Sequence, residues 1–219
     1  MQPFERRIIL PAISELWNKG DENSWRDALS RYWSYVKPQN LELEKRMNKL
    51  DSEEVKKLGP HEWYDFLKDE YFPWKYTAPN RLATTTNQLK KYQETNNLGV
   101  LFAIKENIFA LDPTDIQQAL KIAKSTKGLG WAGASGLLAL LFPKSFGTAD
   151  QFVIKALREI DSLPESGKLF AMRPDNLREK DAVLVIQVMR RKACDLNALF
   201  ATDEWTPRKI DMILWASRE

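Results

Sequence analysis

One carboxylate, Asp150, lies in the part of this sequence where glycine, small residues and basic side chains are concentrated. It follows a segment in which Gly128-Leu129-Gly130 leads into a run of small and apolar residues that stops at Pro143. A Gly-x-Gly turn between two helices exposes backbone amides, and these amides and the dipole of the second helix form an anion site. A fixed carboxylate can stabilise developing positive charge or accept a proton. The turn therefore indicates an anion site, and Asp150, at the start of the next predicted helix, is a candidate for such chemistry.

The predicted phosphate contacts are the turn and the start of the helix that follows it. They are Lys127, Gly128, Gly130, Trp131 and Ala132. Leu129, between the two glycines, should point inward and fix the turn to the core. Two plainer interpretations stay open. The small residues are also what close helix packing requires, and Asp150 is also a favourable N-cap for the helix that follows it.

Charge is distributed unevenly along the chain. The 219 residues carry a net charge of +3, whereas residues 121–160 alone carry +4. Basic side chains therefore gather around the turn, as a surface facing phosphates requires. An ordinary solvated helix face would give the same local excess.

The content of cysteine, histidine and apolar runs excludes several classes of protein. Cys194 and His61 are the only residues of their types, which excludes an intrachain disulfide, a zinc site of Cys and His ligands, and a four-cysteine iron–sulfur cluster. No carboxylate cluster indicates magnesium, so we expect metal-free chemistry. The longest apolar run, 137–142, is too short to span a bilayer, and 1–10 lacks the apolar stretch of a secretory signal. We expect a protein of the cytoplasm, associated with the nucleoid, or of the nucleus, neither secreted nor in contact with a membrane.

Apolar residues recur at helical spacing along the chain, and no long alternating strand pattern occurs. The sequence therefore predicts an all-α fold of about ten helices, the first of them including Ile8 and Ile9. An aromatic loop over 71–80 should interrupt the helices. No linker or repeat divides the chain, so 1–219 should form one unit. The predicted helices nearest to the turn and to Asp150 cover roughly 81–94, 98–110, 114–125 and 151–160.

The segment from the turn to Asp150 resembles the helix-hairpin-helix base-excision DNA glycosylases, the superfamily of endonuclease III, adenine DNA glycosylase and 8-oxoguanine DNA glycosylase. Their pattern is a Gly-hydrophobic-Gly hairpin, a small-residue helix, a short loop and an aspartate at a helix start. The resemblance covers residues 75–160, with 1–74 and 161–219 expected to pack as a flanking helical lobe. It implies a glycosylase-like helical bundle, here without the iron–sulfur cluster, that binds double-stranded DNA as a monomer.

The resemblance also implies a particular chemistry. Bifunctional members carry a lysine two residues after the second glycine; here that position is Ala132, and Asp150 lies eighteen residues further on. Alanine cannot attack the sugar and form a Schiff base. The resemblance therefore implies a monofunctional glycosylase, in which Asp150 is the catalytic carboxylate and water removes the base. No cofactor is expected, apart from a monovalent cation that the Gly128–Gly130 hairpin could hold.

Excision requires the damaged base to leave the stack, so a wedge and a base pocket are expected. The resemblance places the wedge near 77–81, with Asn80 or Arg81 as the filling side chain. Trp74 and Tyr76 precede it and are candidates for stacking on the base, with burial in the core as the alternative for each. Two other functions stay open for the whole chain: a catalytically silent helix-hairpin-helix DNA-binding protein, and a helical interaction protein without DNA contact.

Overall fold

The computed structural model describes residues 12–217, and every regular element within them is helical, which confirms the all-α prediction. The described residues contain fourteen α-helical segments, two of which a π-helical segment joins into one, so they form thirteen separate helices, more than the ten expected. Ile8 and Ile9, predicted to belong to the first helix, lie outside the described residues. The helices are α1 (Ile13–Lys19), α2 (Glu22–Tyr35), α3 (Leu41–Asn48), α4 (Ser52–Lys57), α5 (Pro60–Asp65), α6 (Phe72–Lys75), α7 (Pro79–Glu94), α8 (Leu98–Phe109), α9 (Ile116–Lys124), α10 (Trp131–Leu141), α11 (Gln151–Arg158), α12 (Ser166–Phe170), α13 (Glu179–Phe200) and α14 (Pro207–Ala216).

The predicted loop over 71–80 is instead helical as far as Lys75. The π-helical segment Phe66–Tyr71 precedes it, and the amide of Phe72 donates to the carbonyl of Leu67, five residues back. Pro73 follows directly and has no amide to donate, so it fits where the hydrogen-bond ladder has already shifted. The helix therefore continues past a proline that the sequence alone indicated as its end.

The two C-terminal helices of the described chain pack on the predicted hairpin. The helices α9 and α10 form the two arms of the hairpin and lie against each other, and α13 contacts both of them. The C-terminal helix α14 packs on α2, α11 and α13, so the beginning and the end of the described chain meet. One continuous apolar core runs from Ile13 to Leu214. The proposed division into a core and a flanking lobe stays a prediction.

Gly128 has a backbone conformation that fixes the shape of the hairpin. Its φ is +93°, in the region that side-chain-bearing residues rarely adopt. A Cβ at this position would lie 2.6 Å from the carbonyl oxygen of Thr85 and 3.0 Å from the ring of Phe72. The turn therefore packs directly on α6 and α7, and only glycine fits there.

We predict that Gly128→Ala lowers the free energy of unfolding by about 2–4 kcal/mol, because it combines a strained φ with a clash against a backbone oxygen. Urea denaturation of the full chain measures this. Gly130→Ala is the matched control, since a Cβ there meets nothing within 4 Å, and it should cost less than about 1 kcal/mol. Equal losses in the two variants would contradict the close approach at Gly128.

Candidate functional site

The start of α10 offers unpaired backbone amides beside the turn. Gly130 is the N-cap of the helix and supplies no side-chain cap, so the amides of the first turn have no acceptor within the helix. Leu129 is buried, as the sequence predicted. Two basic side chains flank the turn: Lys124 lies with its Nζ 4.9 Å from the ring centre of Trp131, and Lys127 lies 4.7 Å from that of Tyr92. The arrangement combines amides, a helix dipole and positive charge.

An open groove of about 400 Å³ separates this hairpin from the start of α7. Asn80 and Arg81, the predicted wedge residues, are exposed and line the side of the groove opposite Gly130 and Ala132. Tyr76 lies beneath the hairpin, where it is buried and donates a hydrogen bond from its hydroxyl to the carbonyl of Gly128 over 3.3 Å. Tyr76, one of the two aromatic residues predicted to stack on a base, is therefore packed against the turn from inside the protein.

Asp150 is the N-cap of α11, and its side chain is only 17% exposed. One carboxylate oxygen accepts from the amides of Phe152 and Val153, at 3.0 and 3.2 Å. The other oxygen lies 3.4 Å from Nζ of Lys75. The first oxygen fixes the carboxylate in place as a cap does, and the second pairs with Lys75, which lines the same cleft as Asp150.

Lys75 is a site residue that no pattern in the sequence indicated. It lies at the end of α6, and its side chain is 10% exposed. The stem of the lysine passes over Gly136, where an added Cβ would lie 3.1 Å from its Cδ. The small residue in α10 therefore makes room for a cation that precedes Asp150 by seventy-five residues in the chain.

Two buried polar side chains hold the loop that leads to Asp150. The hydroxyl of Ser135 accepts from the amide of Ala149 at 2.9 Å and lies 3.1 Å from the carbonyl of Ala132, to which it donates. Asp211 of α14 accepts from the amide of Thr148 at 2.5 Å. Ser135 thus links the first turn of α10 to the residue next to Asp150, while the groove at the hairpin and the cleft of Asp150 share no lining residue.

The cleft next to Asp150 has a volume of about 350 Å³, within the usual range for ligand sites. Its walls include the aromatic residues Tyr35, Trp74, Phe152 and Trp215. Trp74 therefore lines this cleft, and its stacking on a base stays a prediction. The sequence did not indicate Tyr35, Phe152 or Trp215 as site residues, since their approach to Asp150 depends on how α2, α11 and α14 pack.

A buried ionic cluster forms the floor of this cleft. Nη1 of Arg208 lies 2.6 Å from Asp211, and Nη2 lies 3.4 Å from Oε1 of Glu44. Glu44 also accepts from the hydroxyl of Tyr32 at 2.5 Å and from the indole of Trp74 at 2.7 Å. The only local sign of this cluster is the spacing of Arg208 and Asp211 in α14, while Glu44 lies in a Glu- and Lys-rich stretch typical of a solvated helix.

The pKa values of this cluster reflect its burial. Burial raises the pKa of Asp211 to about 6, although Arg208 and the amide of Thr148 favour its charged form. Burial also raises the pKa of the Tyr32 phenol well above its ordinary value, so Tyr32 serves as a hydrogen-bond donor to Glu44. Asp211 therefore changes charge closer to neutral pH than an ordinary aspartate does.

Residues 12–217 contain neither a metal-binding cluster nor a membrane-spanning helix. Within this range no group of three or more His, Cys, Asp or Glu side chains is arranged to hold a metal ion. No helix in the same range is both long and apolar enough to cross a membrane. No protein-family model, curated protein or solved structure matches this chain.

We predict that the free energy of unfolding of the wild type falls relative to that of Asp211→Asn as the pH rises from 4 to 6.5. The folded pKa of about 6 lies above the ordinary 3.8, so the folded state holds a proton that the unfolded chain has released, and this contribution disappears as pH passes the folded pKa. The change should be on the order of 1–3 kcal/mol, measured by urea denaturation at several pH values. The exposed Asp175→Asn should follow the wild type, and parallel curves for wild type and Asp211→Asn would contradict the shift.

Proposed function

We propose that this chain is a monofunctional DNA glycosylase, which hydrolyses the N-glycosidic bond of a flipped-out modified or mispaired base in double-stranded DNA. The observation that carries the proposal is the position of Asp150. Asp150 lines an aromatic cleft, one of its oxygens is fixed by the amides of α11 and the other pairs with Lys75. Ser135 links the loop before Asp150 to the hairpin helix α10.

The hairpin supports DNA binding from one side of this site. A phosphate at the first turn of α10 would accept hydrogen bonds from its unpaired amides and meet the positive end of the helix dipole. Asn80 and Arg81 line the opposite side of the groove and are available to fill the gap that a flipped base leaves. A phosphate and a wedge on either side of the groove would direct the base towards the cleft of Asp150.

The carboxylate supports cleavage through charge. As the bond from the sugar C1′ to the base breaks, positive charge grows on the sugar, and the fixed Asp150 carboxylate stabilises it without reorganising. Water then forms a bond from its oxygen to C1′, its proton passes to the carboxylate or solvent, and the electron pair of the broken bond leaves with the base. An abasic site remains.

Water is the proposed nucleophile, for two reasons. Position 132 carries no amine. The amine that approaches Asp150, that of Lys75, forms an ion pair with it, and an ammonium group has no lone pair with which to attack the sugar. Lys75 therefore acts as a positioning residue for the second carboxylate oxygen.

A catalytically silent helix-hairpin-helix DNA-binding protein is the second candidate. The observation that favours it is that both oxygens of Asp150 already have partners, one in the helix cap and one in Lys75. A purely structural cap would have the same contacts. Cleavage assays on variants that keep the cap separate the two functions.

We predict that Asp150→Asn lowers base excision by at least about 100-fold while the protein stays folded, because asparagine caps a helix as well as aspartate but carries no charge. Duplexes that each carry one modified base are incubated with enzyme, and abasic sites are then cleaved with alkali. The exposed Asp161→Asn should keep wild-type activity.

Two results of this assay would contradict the proposal. Tight binding to an abasic-site analogue with no product from any duplex would favour the silent protein. Strand cleavage without alkali, or borohydride trapping that Lys75→Gln abolishes, would contradict hydrolysis by water.

We predict that Ala132→Glu weakens binding to an abasic-site duplex at least about tenfold at low salt, with the loss shrinking as salt rises. A carboxylate in the first turn of α10 repels a phosphate there, although it is favourable for the helix dipole and should not lower stability. Fluorescence anisotropy measures binding, and thermal melting measures stability. Ala132→Gln is the neutral control, and equal binding by the two variants would remove α10 from the DNA interface.

A further inference from the structure

Lys75 has fewer hydrogen-bond partners than a nearly buried lysine normally requires. Its side chain is 10% exposed, and its ammonium group has three donors. One of them reaches Oδ2 of Asp150 over 3.4 Å, longer than the roughly 2.7–2.9 Å of a good charge-assisted hydrogen bond. The other two donors have no acceptor within residues 12–217. The contact with Asp150 therefore accounts for a single long hydrogen bond of a nearly buried cation.

Another buried lysine of the chain shows what full satisfaction requires. Lys105 of α8 is 1% exposed, and its Nζ donates to the carbonyls of Lys56 and Leu58 at 2.5 and 2.7 Å. A carboxylate oxygen of Glu106 lies 3.2 Å from the same Nζ. A buried donor without an acceptor is costly. Two donors of Lys75, unlike those of Lys105, are therefore left for acceptor atoms that a ligand supplies.

The cleft beside Asp150 is the place for such a ligand, because Lys75, Asp150 and Trp74 all line it. Trp74 directly precedes Lys75 in α6, and Glu44 holds its indole nitrogen at 2.7 Å. The stem of Lys75 lies against Gly136 of α10. The aromatic wall and the ammonium group thus come from adjacent residues that other helices hold in place. A flat ring beside Trp74 would lie next to both the ammonium group and the carboxylate.

The charges of Lys75 and Asp150 match those that develop when a glycosidic bond breaks. The sugar becomes positive, and a neutral base that takes the electron pair becomes negative. Asp150 carries the charge that stabilises the sugar, and Lys75 carries the opposite charge 3.4 Å away. Charges fixed in advance stabilise a transition state without reorganising. A base that is becoming an anion therefore supplies the acceptor atoms that Lys75 lacks.

We propose, resting on the base excision proposed above, that Lys75 is a second catalytic residue, whose ammonium group donates hydrogen bonds to the departing base. As the bond from C1′ to the base breaks, its electron pair moves onto the ring, and Lys75 stabilises the negative charge on a ring nitrogen or carbonyl oxygen. The ammonium group keeps its proton, and the released base takes one from solvent. Lys75 therefore has no lone pair at any stage, as hydrolysis by water requires.

The test compares bases that leave with different charges. Duplexes carry uracil or 8-oxoguanine, which leave as anions, or 7-methylguanine, whose cationic ring the electron pair neutralises. We expect Lys75→Gln to slow excision of the two neutral bases at least about 100-fold, and that of 7-methylguanine less than about threefold. Lys37→Gln is the matched control, because Lys37 lines the same cleft but is exposed, and it should keep wild-type rates on all three duplexes.

Single-turnover rates are measured, so that differences in binding do not contribute, and thermal melting checks folding. If Lys75→Gln is unfolded, Lys75→Met, which keeps an unbranched stem against α10, takes its place. Equal slowing on all three bases would mean that Lys75 acts through Asp150 alone, and this result would overturn the proposal. Excision of 7-methylguanine alone by the wild type would overturn it as well, because a cation at the leaving group should release neutral bases.

A binding measurement separates failure of this inference from failure of the excision proposal. Uracil and 8-oxoguanine are placed on 2′-fluorinated sugars, which block cleavage, and binding is compared with that of a base-free abasic analogue. Lys75→Gln should weaken binding of the two base-containing duplexes at least about fivefold and that of the analogue less than about twofold. This difference supports the contact between Lys75 and the base even if no duplex yields product. A uniform loss over all duplexes, or no loss, overturns it.

Discussion

The burial of one guanidinium group, that of Arg208, governs how the cleft is assembled. A buried cation is tolerated only when carboxylates surround it, and removing one partner of such a pair typically costs about 3–5 kcal/mol. The partners here come from different elements: Asp211 from α14 itself and Glu44 from α3. Asp211 also binds the amide of Thr148 and Glu44 also binds the indole of Trp74. Satisfying one charge therefore places α3, α6, α14 and the loop before Asp150 around a common space.

The hairpin is joined to this space by close backbone packing. Gly133 and Gly136 in α10 lie against the hydroxyls of Tyr76 and Tyr71, where a Cβ would be too close. The Tyr71 hydroxyl donates to the carbonyl of Gly133, and Ser135 binds the amide of Ala149. The small residues that allow this approach were open to a packing interpretation from the sequence. Packing and the proposed function are not alternatives at this point, because the packing also sets the distance between the start of α10 and Asp150.

The two halves of the site have different electrostatic properties, which agree with the proposed excision. The groove at the hairpin offers amides, a helix dipole and nearby lysines, all suited to a phosphate. The cleft beside Asp150 is lined by aromatic rings, which suit a base, and by three carboxylates balanced by three cations, so it has no excess positive charge that would attract a phosphate. In the proposed excision the DNA backbone would lie at the hairpin and the base in the cleft.

The sequence by itself determined the features that depend on neighbouring residues. Periodicity indicated the all-α class, the glycines and Leu129 the hairpin, and Asp150 a helix start, because caps and turns are decided within a few residues. The continuation of helix past Pro73 was missed, since a π turn has no reliable local signature. Only the tertiary structure placed Lys75 beside Asp150 and Glu44 beside Arg208, across 75 and 164 residues of chain. Such pairs form because helices fold back to bury their apolar faces, and no local pattern records which polar residues then meet.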